Sequence, residues 1–504
     1  MKTHSSHKTR WSILGNFLLP IMIALIFLAF TFSYYPFRER IQFDSDEGLN
    51  LMRSMLVVLG HPLYREISSD QPPLFTQLLA LLLRVVGFEV NPARLLVLLF
   101  STLLVWSGAQ FLQITWGKLA AILFLPLVIM MPRYLELSVS VMIGVPSIAL
   151  AAVSMLFLTF WHQNKRNLWL VLSGFALALS VLIKLFTGFL VPIFLIGILA
   201  SAYFNGSEDG FSWEILRPVL IWSICFASLT MLLGFMLVGP QNVWSIISPH
   251  IAAPTTDELG GASYTINAHL QAAVPLLFLG IFGALISIYR RNWLTLYPLA
   301  WSVLAYTFLS FYSPVFYHHQ LLITIPIAMM AAAGVGDGIL SLARLRGSSN
   351  LIRRQTLLGA GTVVAFILVS FHYLPLLDKE VMNHPRITDF TLKATPGKLK
   401  VLRIMNEYVD QTNWIMTDAP MYAFRVQRPV PPNLATFSSK RLATGSLTQE
   451  DILTAMREYH PEQVLIARFE IPALEEYLQE DYTLILSVEY FRLFIRNDLK
   501  LVTK

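Results

Sequence analysis

The sequence predicts a polytopic α-helical membrane protein with a small C-terminal α/β domain. Of the 504 residues, 55% are hydrophobic and only 13% are charged, an apolar excess that a soluble core of this length does not need. Apolar segments recur up to about residue 376, whereas the composition from about Asp378 onward is that of a soluble domain. We therefore expect a membrane module at residues 1–377 and a soluble domain at residues 378–504.

About twelve apolar segments make up the predicted membrane module. They are 12–33, 72–87, 93–115, 117–131, 138–161, 167–183, 185–204, 215–238, 270–289, 293–311, 319–340 and 355–376. The first segment follows a basic N-terminus and is not followed by a cleavage site of small residues, so we expect an uncleaved helix. The single cysteine, Cys225, excludes disulfide bonds within the chain and metal sites built from several thiolates.

The basic loops predict how the helices are oriented. The net charge of +6 is small for this length, and Lys and Arg collect in short loops, which is typical of membrane topology and not of nucleic-acid binding. With the N-terminus in the cytoplasm, the positive-inside rule places the loop of Arg84 and Arg94 there too. The other loops that it places in the cytoplasm are 162–166, 289–291 and 344–354.

These assignments hold together only if one segment between Arg94 and Lys165 does not cross, and we expect this to be the short segment 117–131. The chain then makes about eleven full crossings of the inner membrane, and the C-terminal domain lies outside the cytoplasm. Under this topology the polar elements share the outer face. They are the loops 35–71, 131–138 and 239–269, the turn at Lys184, the segment 312–320 and everything after about residue 376.

Helices and strands alternate in the predicted C-terminal domain. We expect helices at 396–411, 447–459 and 472–479, strands at 414–416 and 464–467, and a terminal pair of strands at 484–496 that is bent near Glu489. Ser446 or Thr448 is the expected N-cap of the second helix. No GxGxxG sequence follows a strand, so we infer no nucleotide site and expect no nucleic-acid partner. This pattern favours a small α/β layer packed on the outer membrane face.

The first outer loop, 35–71, contains the acidic run Asp44-Ser45-Asp46-Glu47-Gly48. Apolar residues then recur at helical spacing up to Leu59, which predicts an amphipathic helix lying in the membrane interface. Asp46 would therefore lie at a helix start. Two interpretations fit its position: an N-cap held by free backbone N–H groups, or a general base held at the membrane surface by the same cap.

A wider pattern favours the second interpretation. Asp46-Glu47 is followed by Gly60-His61-Pro62-Leu63-Tyr64 and then by Gln71-Pro72-Pro73-Leu74 at the start of the second segment. This arrangement resembles the GT-C glycosyltransferases, in particular the protein O-mannosyltransferases and the lipid A aminoarabinose transferases. Those enzymes take a sugar from a polyprenyl monophosphate carrier and place it on an acceptor at the outer face. The resemblance covers about residues 10–375 and is most specific in 44–75.

The resemblance implies roles for the acidic residues. Asp46 corresponds to the residue that activates the acceptor for attack on the anomeric carbon with inversion, which requires a carboxylate within hydrogen-bond reach. Glu47 would orient the acceptor or Asp46, or it would be a solvated carboxylate in the first helical turn. Asp44 is a weaker candidate for the base. The implied acceptor is a lipid, a glycan or a protein.

Cations are expected to stabilise the leaving polyprenyl phosphate. Lys184 is the main candidate because it interrupts an apolar stretch where two helices turn at the outer face, although snorkelling to the interface is the alternative. Arg133 and Arg53 are second candidates, and Arg53 could instead contact lipid headgroups. His318 and His319 would contact donor or acceptor, or would belong to an interfacial polar belt.

Two departures from the family pattern concern the same site. Aminoarabinose transferases have Lys where this chain has Gln71, so a neutral amide would contact the phosphate here. A second acid is expected in the loop 131–144, but Gly144 stands where we would look for it and Glu136 is the nearby carboxylate. Either Glu136 substitutes for it, or the enzyme works with one acid, or its activity is altered. Asp44, Asp46 and Glu47 could together hold a divalent cation, since such cations favour oxygen ligands. A monophosphate donor does not require a metal ion, so we assign no metal site.

Two other classes of function remain alternatives. A flippase or transporter of lipid-linked sugars would also have many spans and isolated charges, but it should show inverted repeats with broken helices, and we find none. A non-catalytic membrane scaffold that presents the C-terminal domain would give no reason for Asp46, Lys184 and Arg133 to converge on one face. The predicted convergence therefore favours an enzyme.

Overall fold

A computed structural model describes residues 6–204, 213–244, 246, 262–343, 352–382 and 397–499. The helices of the membrane module are α1 Ser6–Tyr34, α2 Ser45–Val58, α3 Leu74–Val86, α4 Val90–Trp116, α5 Lys118–Ile129, α6 Tyr134–Leu137, α7 Gly144–Asn164, α8 Asn167–Ile183, α9 Leu190–Phe204, α10 Trp213–Leu237, α11 Ala262–Leu270, α12 Val274–Tyr289, α13 Leu296–Phe311, α14 Leu321–Ala343 and α15 Ile352–Met382. Most of the predicted outer loop 239–269 lies outside the described residues.

The polytopic helical architecture is confirmed. In the described part of the chain, 9 helical segments are long and apolar enough to cross a membrane, and α3, α5 and α8 are shorter apolar helices. The central helix α14 packs against α5, α12, α13 and α15, while α7 packs between α4 and α8. This buried centre explains why α7 and α14 are the most deeply buried of the candidate spans.

The predicted side of Arg94 is wrong. Its guanidinium donates to the Glu47 carboxylate of the first loop at 2.8 Å and to the carbonyl oxygens of Phe37 and Arg40. The start of α4 therefore lies at the same face of the bundle as the loop 35–71. The positive-inside rule treats Arg94 as a free charge, whereas in the structure Glu47 neutralises it.

The helix that does not cross is consequently α3 and not the segment 117–131. Since α3 lies between the first loop and the start of α4, it begins and ends near one face, whereas α5 packs along α4 and α14. With α5 and α8 crossing, the count of about eleven passages is retained. We call the face that carries the first loop, the loop 131–144, the turn at Lys184 and the segment 312–320 the site face. The side of the membrane that it faces stays a prediction.

The helix after the acidic run does not lie in the membrane interface as expected. Residues 47–56 of α2 are all buried, polar and apolar alike. On one side α2 packs against α3, and on another it packs against a helix of the C-terminal domain, α17 Pro420–Arg425. A Cβ atom on Gly48 would lie 2.5 Å from the backbone nitrogen of Met421, so only glycine permits this approach.

The C-terminal domain is a small α/β layer, as predicted. Its strands are β1 Ile415–Thr417, β2 Gln463–Ile466, β3 Tyr482–Val488 and β4 Phe491–Arg496, in the order β1-β2-β4-β3. Only β1 and β2 are parallel. Its other helices are α16 Gly397–Glu407, α18 Ser439–Ala443, α19 Gln449–Tyr459 and α20 Pro472–Asp481. Thr448 is the N-cap of α19, in a capping box with Asp451.

The C-terminal domain is docked on the site face. Arg425 donates to the carbonyl oxygen of Ile41, and Thr436 donates to that of Ser68 at 2.6 Å. Each contact joins the domain to the first loop across more than 360 residues of sequence. The domain therefore covers the segment in which the acidic run lies. The boundary at residue 378 stays a prediction because residues 383–396 lie outside the described part.

Candidate active site

A cavity of about 200 Å³ opens on the site face between the helix bundle and the C-terminal domain. Its walls come from the start of α2, from residues 70–71, 142–144, 184, 186, 312, 314 and 316–319, and from residues 436, 438–440 and 468 of the C-terminal domain. Of the residues singled out in the sequence, it brings together Asp44, Asp46, Arg53, Gln71, Lys184, His318 and His319. Glu47, Arg133 and Glu136 do not line it.

Asp46 lies in the first turn of α2 and is not its N-cap. Asp44 holds that position, since its Oδ1 accepts the Asp46 N–H at 2.8 Å. The Asp46 carboxylate lines the cavity and makes no hydrogen bond with any residue that the structure describes. Burial, followed by the charge of Asp44, raises the pKa of Asp46 to about 6, against the opposing charges of Arg53 and Lys184. The carboxylate is thus ionised and unshared at neutral pH.

Glu47 points away from the cavity. It is fully buried and forms a bidentate ion pair with Arg94, and it also accepts the backbone N–H groups of Phe43 at 3.1 Å and Val141 at 3.2 Å. The interpretation of Glu47 as a solvated carboxylate is therefore wrong. Its contacts tie α2 to α4 and to the loop 131–144, which fixes the direction in which Asp46 leaves the helix.

Lys184 follows α8 directly, in the turn before the next span. Its side chain is only 6% exposed and lines the cavity, and its Nζ lies 4.9 Å from the centre of the Phe186 ring. No carboxylate within the described ranges forms an ion pair with it. Burial lowers the pKa of Lys184 to about 8, opposed by Asp46 and Asp70. An ammonium that faces a cavity without a paired carboxylate does not fit simple snorkelling.

Arg53 also lies inside the protein and not among lipid headgroups. It is 4% exposed, donates to Ser69 Oγ at 2.9 Å and to the side-chain oxygen of Asn50, and lines the cavity. Asn50 in turn donates to the carbonyl oxygen of Val141 at 2.9 Å. Arg53 is therefore held in place by its neighbours on α2 and on the first loop.

Arg133 and Glu136 both contact Tyr317, which lines the cavity. The Arg133 guanidinium stacks on the Tyr317 ring at 3.8 Å and contacts Glu136 at 3.5 Å, while the Tyr317 hydroxyl donates to Glu136 Oε1 at 3.2 Å. Burial raises the pKa of Glu136. At Gly144, where an acid was expected, a Cβ atom would meet nothing within 4 Å.

The C-terminal domain supplies cavity residues that the sequence did not reveal. Lys440 forms an ion pair with Asp70 at 3.1 Å, and Arg468 lines the same part of the cavity. Asp70 directly precedes Gln71 of the family pattern, so its position was a usable signal. Lys440 and Arg468 carry no such signal, because only the docking of the domain brings them to the site.

The structure does not support a divalent cation on the acidic run. Glu47 directs its carboxylate to Arg94, and Asp44 caps α2, so the three carboxylates do not converge. Across the described ranges, no group of at least 3 His, Cys, Asp or Glu side chains is arranged to hold a metal ion. The Glu47 carboxylate is therefore engaged by Arg94 and does not face a cation beside Asp44 and Asp46.

Comparisons with known proteins agree with this architecture. The dolichyl-phosphate-mannose-protein mannosyltransferase family matches residues 70–244. A crystal structure of ArnT from Cupriavidus metallidurans bound to undecaprenyl phosphate superposes with a TM-score of 0.58 at 14% identity, covering 96% of this chain and 98% of that one. None of the curated proteins matches the chain.

An archaeal oligosaccharyltransferase is similar as well. AglB from Archaeoglobus fulgidus, in complex with an inhibitory peptide and a dolichol-phosphate, has a TM-score of 0.51 at 10% identity, covering 92% of this chain and 70% of that one. The apo form of the oligosaccharyltransferase of that organism has a TM-score of 0.54 at 11% identity, covering 88% and 69%. The chain thus has the GT-C fold of these glycosyltransferases.

Proposed function

We propose that the chain transfers a sugar from a polyprenyl monophosphate carrier to an acceptor at the extracytoplasmic face of the membrane. The observation that carries the proposal is the cavity in which the unshared carboxylate of Asp46 lies with the cations Arg53 and Lys184. A base and phosphate-binding cations at a membrane edge are what this reaction requires. The lipid phosphates bound by ArnT and by AglB support the same class of donor.

The chemistry follows from the positions of these groups. Asp46 accepts the proton of the acceptor hydroxyl while the acceptor oxygen forms a bond to the anomeric carbon. The bond between that carbon and the phosphate oxygen breaks on the opposite side, which inverts the configuration. The electron pair stays on the polyprenyl phosphate, where Lys184 and Arg53 stabilise the developing charge. No step requires a metal ion.

The remaining cavity residues have supporting roles in this proposal. Gln71, His318 and His319 contact the donor or the acceptor from the membrane module. Lys440 and Arg468 belong to the C-terminal domain and lie on the side from which an acceptor outside the membrane would enter. Glu47 positions Asp46 through its bonds to Arg94 and the loop 131–144 and is not the base. Arg133 and Glu136 hold Tyr317, which lines the cavity.

The proposed setting is the inner membrane, with the N-terminus in the cytoplasm and the domain after residue 378 outside. This side follows from the basic loops that the structure leaves on the face opposite the cavity, such as Lys165-Arg166 and Arg290-Arg291. A polyprenyl carrier delivered by a flippase would present its sugar on the outer side.

The decisive experiment supplies the purified protein in vesicles with a panel of labelled polyprenyl-phosphate sugars and acceptor fractions of lipid, glycan and protein. We expect label to leave the carrier and appear on one acceptor class. Label that stays on the carrier but moves between leaflets would indicate a flippase. Direct transfer from a nucleotide sugar without a lipid carrier would reject the proposed donor.

A further inference from the structure

A second groove lies at the face of the bundle opposite the active cavity. It has a volume of about 780 Å³ and runs between α9 and α13. Its walls are apolar side chains, among them Ile193, Ile196, Ala200 and Ala300. Two large aromatic side chains at its rim, Phe204 and Trp293, are largely exposed. Trp residues exposed in this way are typical of the boundary between acyl chains and headgroups.

Polar groups close one end of this groove. His162 contacts the Tyr297 hydroxyl at 2.7 Å and Ser201 Oγ at 2.9 Å, and Lys165 donates to the same Ser201 oxygen at 2.7 Å. The Lys165 ammonium also lies 4.4 Å from the centre of the Trp161 ring. Among the residues that the structure describes, no carboxylate pairs with Lys165. Within the described ranges, the groove therefore ends beside hydroxyl groups and an exposed ammonium that has no paired carboxylate.

The position of Lys165 separates this groove from the active cavity. Lys165 caps the C-terminal end of α7, whereas Gly144 at the other end of the same helix lines the cavity. A helix of 21 residues is about 30 Å long, which matches the thickness of the hydrocarbon core. The cation therefore lies at the level of the headgroups in the other leaflet, out of reach of a donor whose phosphate binds at Lys184.

We propose that this groove binds a glycerophospholipid with an anionic headgroup from the leaflet opposite the active cavity. An acyl chain would fill the apolar walls between α9 and α13, and the headgroup phosphate would pair with the Lys165 ammonium. Basic pockets between transmembrane helices are the usual sites for anionic lipids. Arg166, exposed beside Lys165, adds a second positive charge on the same face.

The test measures which lipids stay with the protein. The full chain is reconstituted in an equimolar mixture of phosphatidylglycerol and phosphatidylethanolamine, purified in mild detergent, and its retained lipids are quantified by mass spectrometry. We expect phosphatidylglycerol to be enriched. Lys165→Gln should lower that enrichment about fivefold, the effect of one lysine near an anionic surface. Lys118→Gln, an exposed lysine at the same face outside the groove, should leave it unchanged.

A second variant tests the groove itself. Ala200→Phe places a ring in the groove and should reduce the retention of both lipids, with the thermal unfolding midpoint as the check on folding. Equal enrichment in the wild type and Lys165→Gln would overturn the proposal. It would also be overturned if Ala200→Phe changed the oligomeric state and not the lipid content, because a second copy of the chain would then cover the groove.

Discussion

The Arg94 guanidinium and the Glu47 carboxylate form a buried bidentate ion pair, with Nε to Oε1 and Nη2 to Oε2 both at 2.8 Å. Both side chains are fully excluded from solvent. The backbone N–H groups of Phe43 and Val141 fill the remaining acceptor positions of Glu47, and carbonyl oxygens surround Arg94. Because Glu47 is adjacent to Asp46 in the first turn of α2, the pair fixes the backbone that presents Asp46 to the cavity.

Glu47→Gln should therefore destabilise the protein more than it alters the chemistry. Glutamine keeps the size of Glu47 but leaves the buried Arg94 charge without its counterion, a change that typically costs about 3–5 kcal/mol. Thermal unfolding in detergent would show a lowered midpoint. The double variant with Arg94→Gln should lose much less than the sum of the single losses, because the uncompensated charge is gone. Additive losses would show that the two groups do not stabilise each other.

Asp46→Asn tests the base. Asp44 provides the cap of α2, and Asp46 makes no hydrogen bond within the described residues, so stability should be unchanged. General base catalysis is typically worth about 10² to 10⁴ in rate, and turnover should fall by that factor while donor binding is retained. Asp44→Asn is the matched control, since asparagine caps as well as aspartate. A large loss confined to Asp44→Asn would move the base role to Asp44.

The pKa of Asp46 predicts the acid limb of the pH profile. A base acts only when deprotonated, and burial raises the pKa of Asp46 to about 6. The kcat/KM should therefore fall about tenfold per unit below this pH. The charge of Asp44 raises this pKa, so Asp44→Asn should move the limb to lower pH. A limb that stays in place in Asp44→Asn would assign it to another group.

Lys184 and Asp46 could be found from the sequence because each carries a local signal. Lys184 is a charge in an apolar stretch at a predicted turn, and Asp46 lies in a family pattern. Lys440 and Arg468 carry no such signal, since their role depends on how the C-terminal domain docks. The side of Arg94 was mispredicted for the same reason: its counterion lies 47 positions away in sequence, and a rule based on local charge does not include it.

Lys184→Met should weaken use of the donor without unfolding the protein. Methionine fits the same apolar turn, but it cannot donate the hydrogen bond that the Lys184 ammonium makes to the phosphate in this proposal. A hydrogen bond to a charged group contributes about 1.5–3 kcal/mol. The KM for the polyprenyl-phosphate donor should therefore rise about 10-fold to 100-fold. Arg133→Gln is the comparison, because Arg133 is exposed and does not line the cavity. Equal effects of the two variants on the donor KM would remove Lys184 from the phosphate site.

Because the first loop contacts the start of α4, we can predict which residues lie on the outer side of the membrane. In a Cys225→Ala background, single cysteines at Glu89 and Ser446 should react with an impermeant thiol reagent in intact cells, because both positions are exposed on the site face. Cysteines at Lys118 and Arg166 should react only after the cells are opened. Lys118 begins α5 and Arg166 directly precedes α8, and both helices begin at the face opposite the site face. The comparison of Glu89 with Lys118 is the most informative, because α4 is the one helix between these two positions in the sequence. If Glu89 were protected and Lys118 were labelled in intact cells, α3 would cross the membrane, and the bond between Arg94 and the first loop would be ruled out.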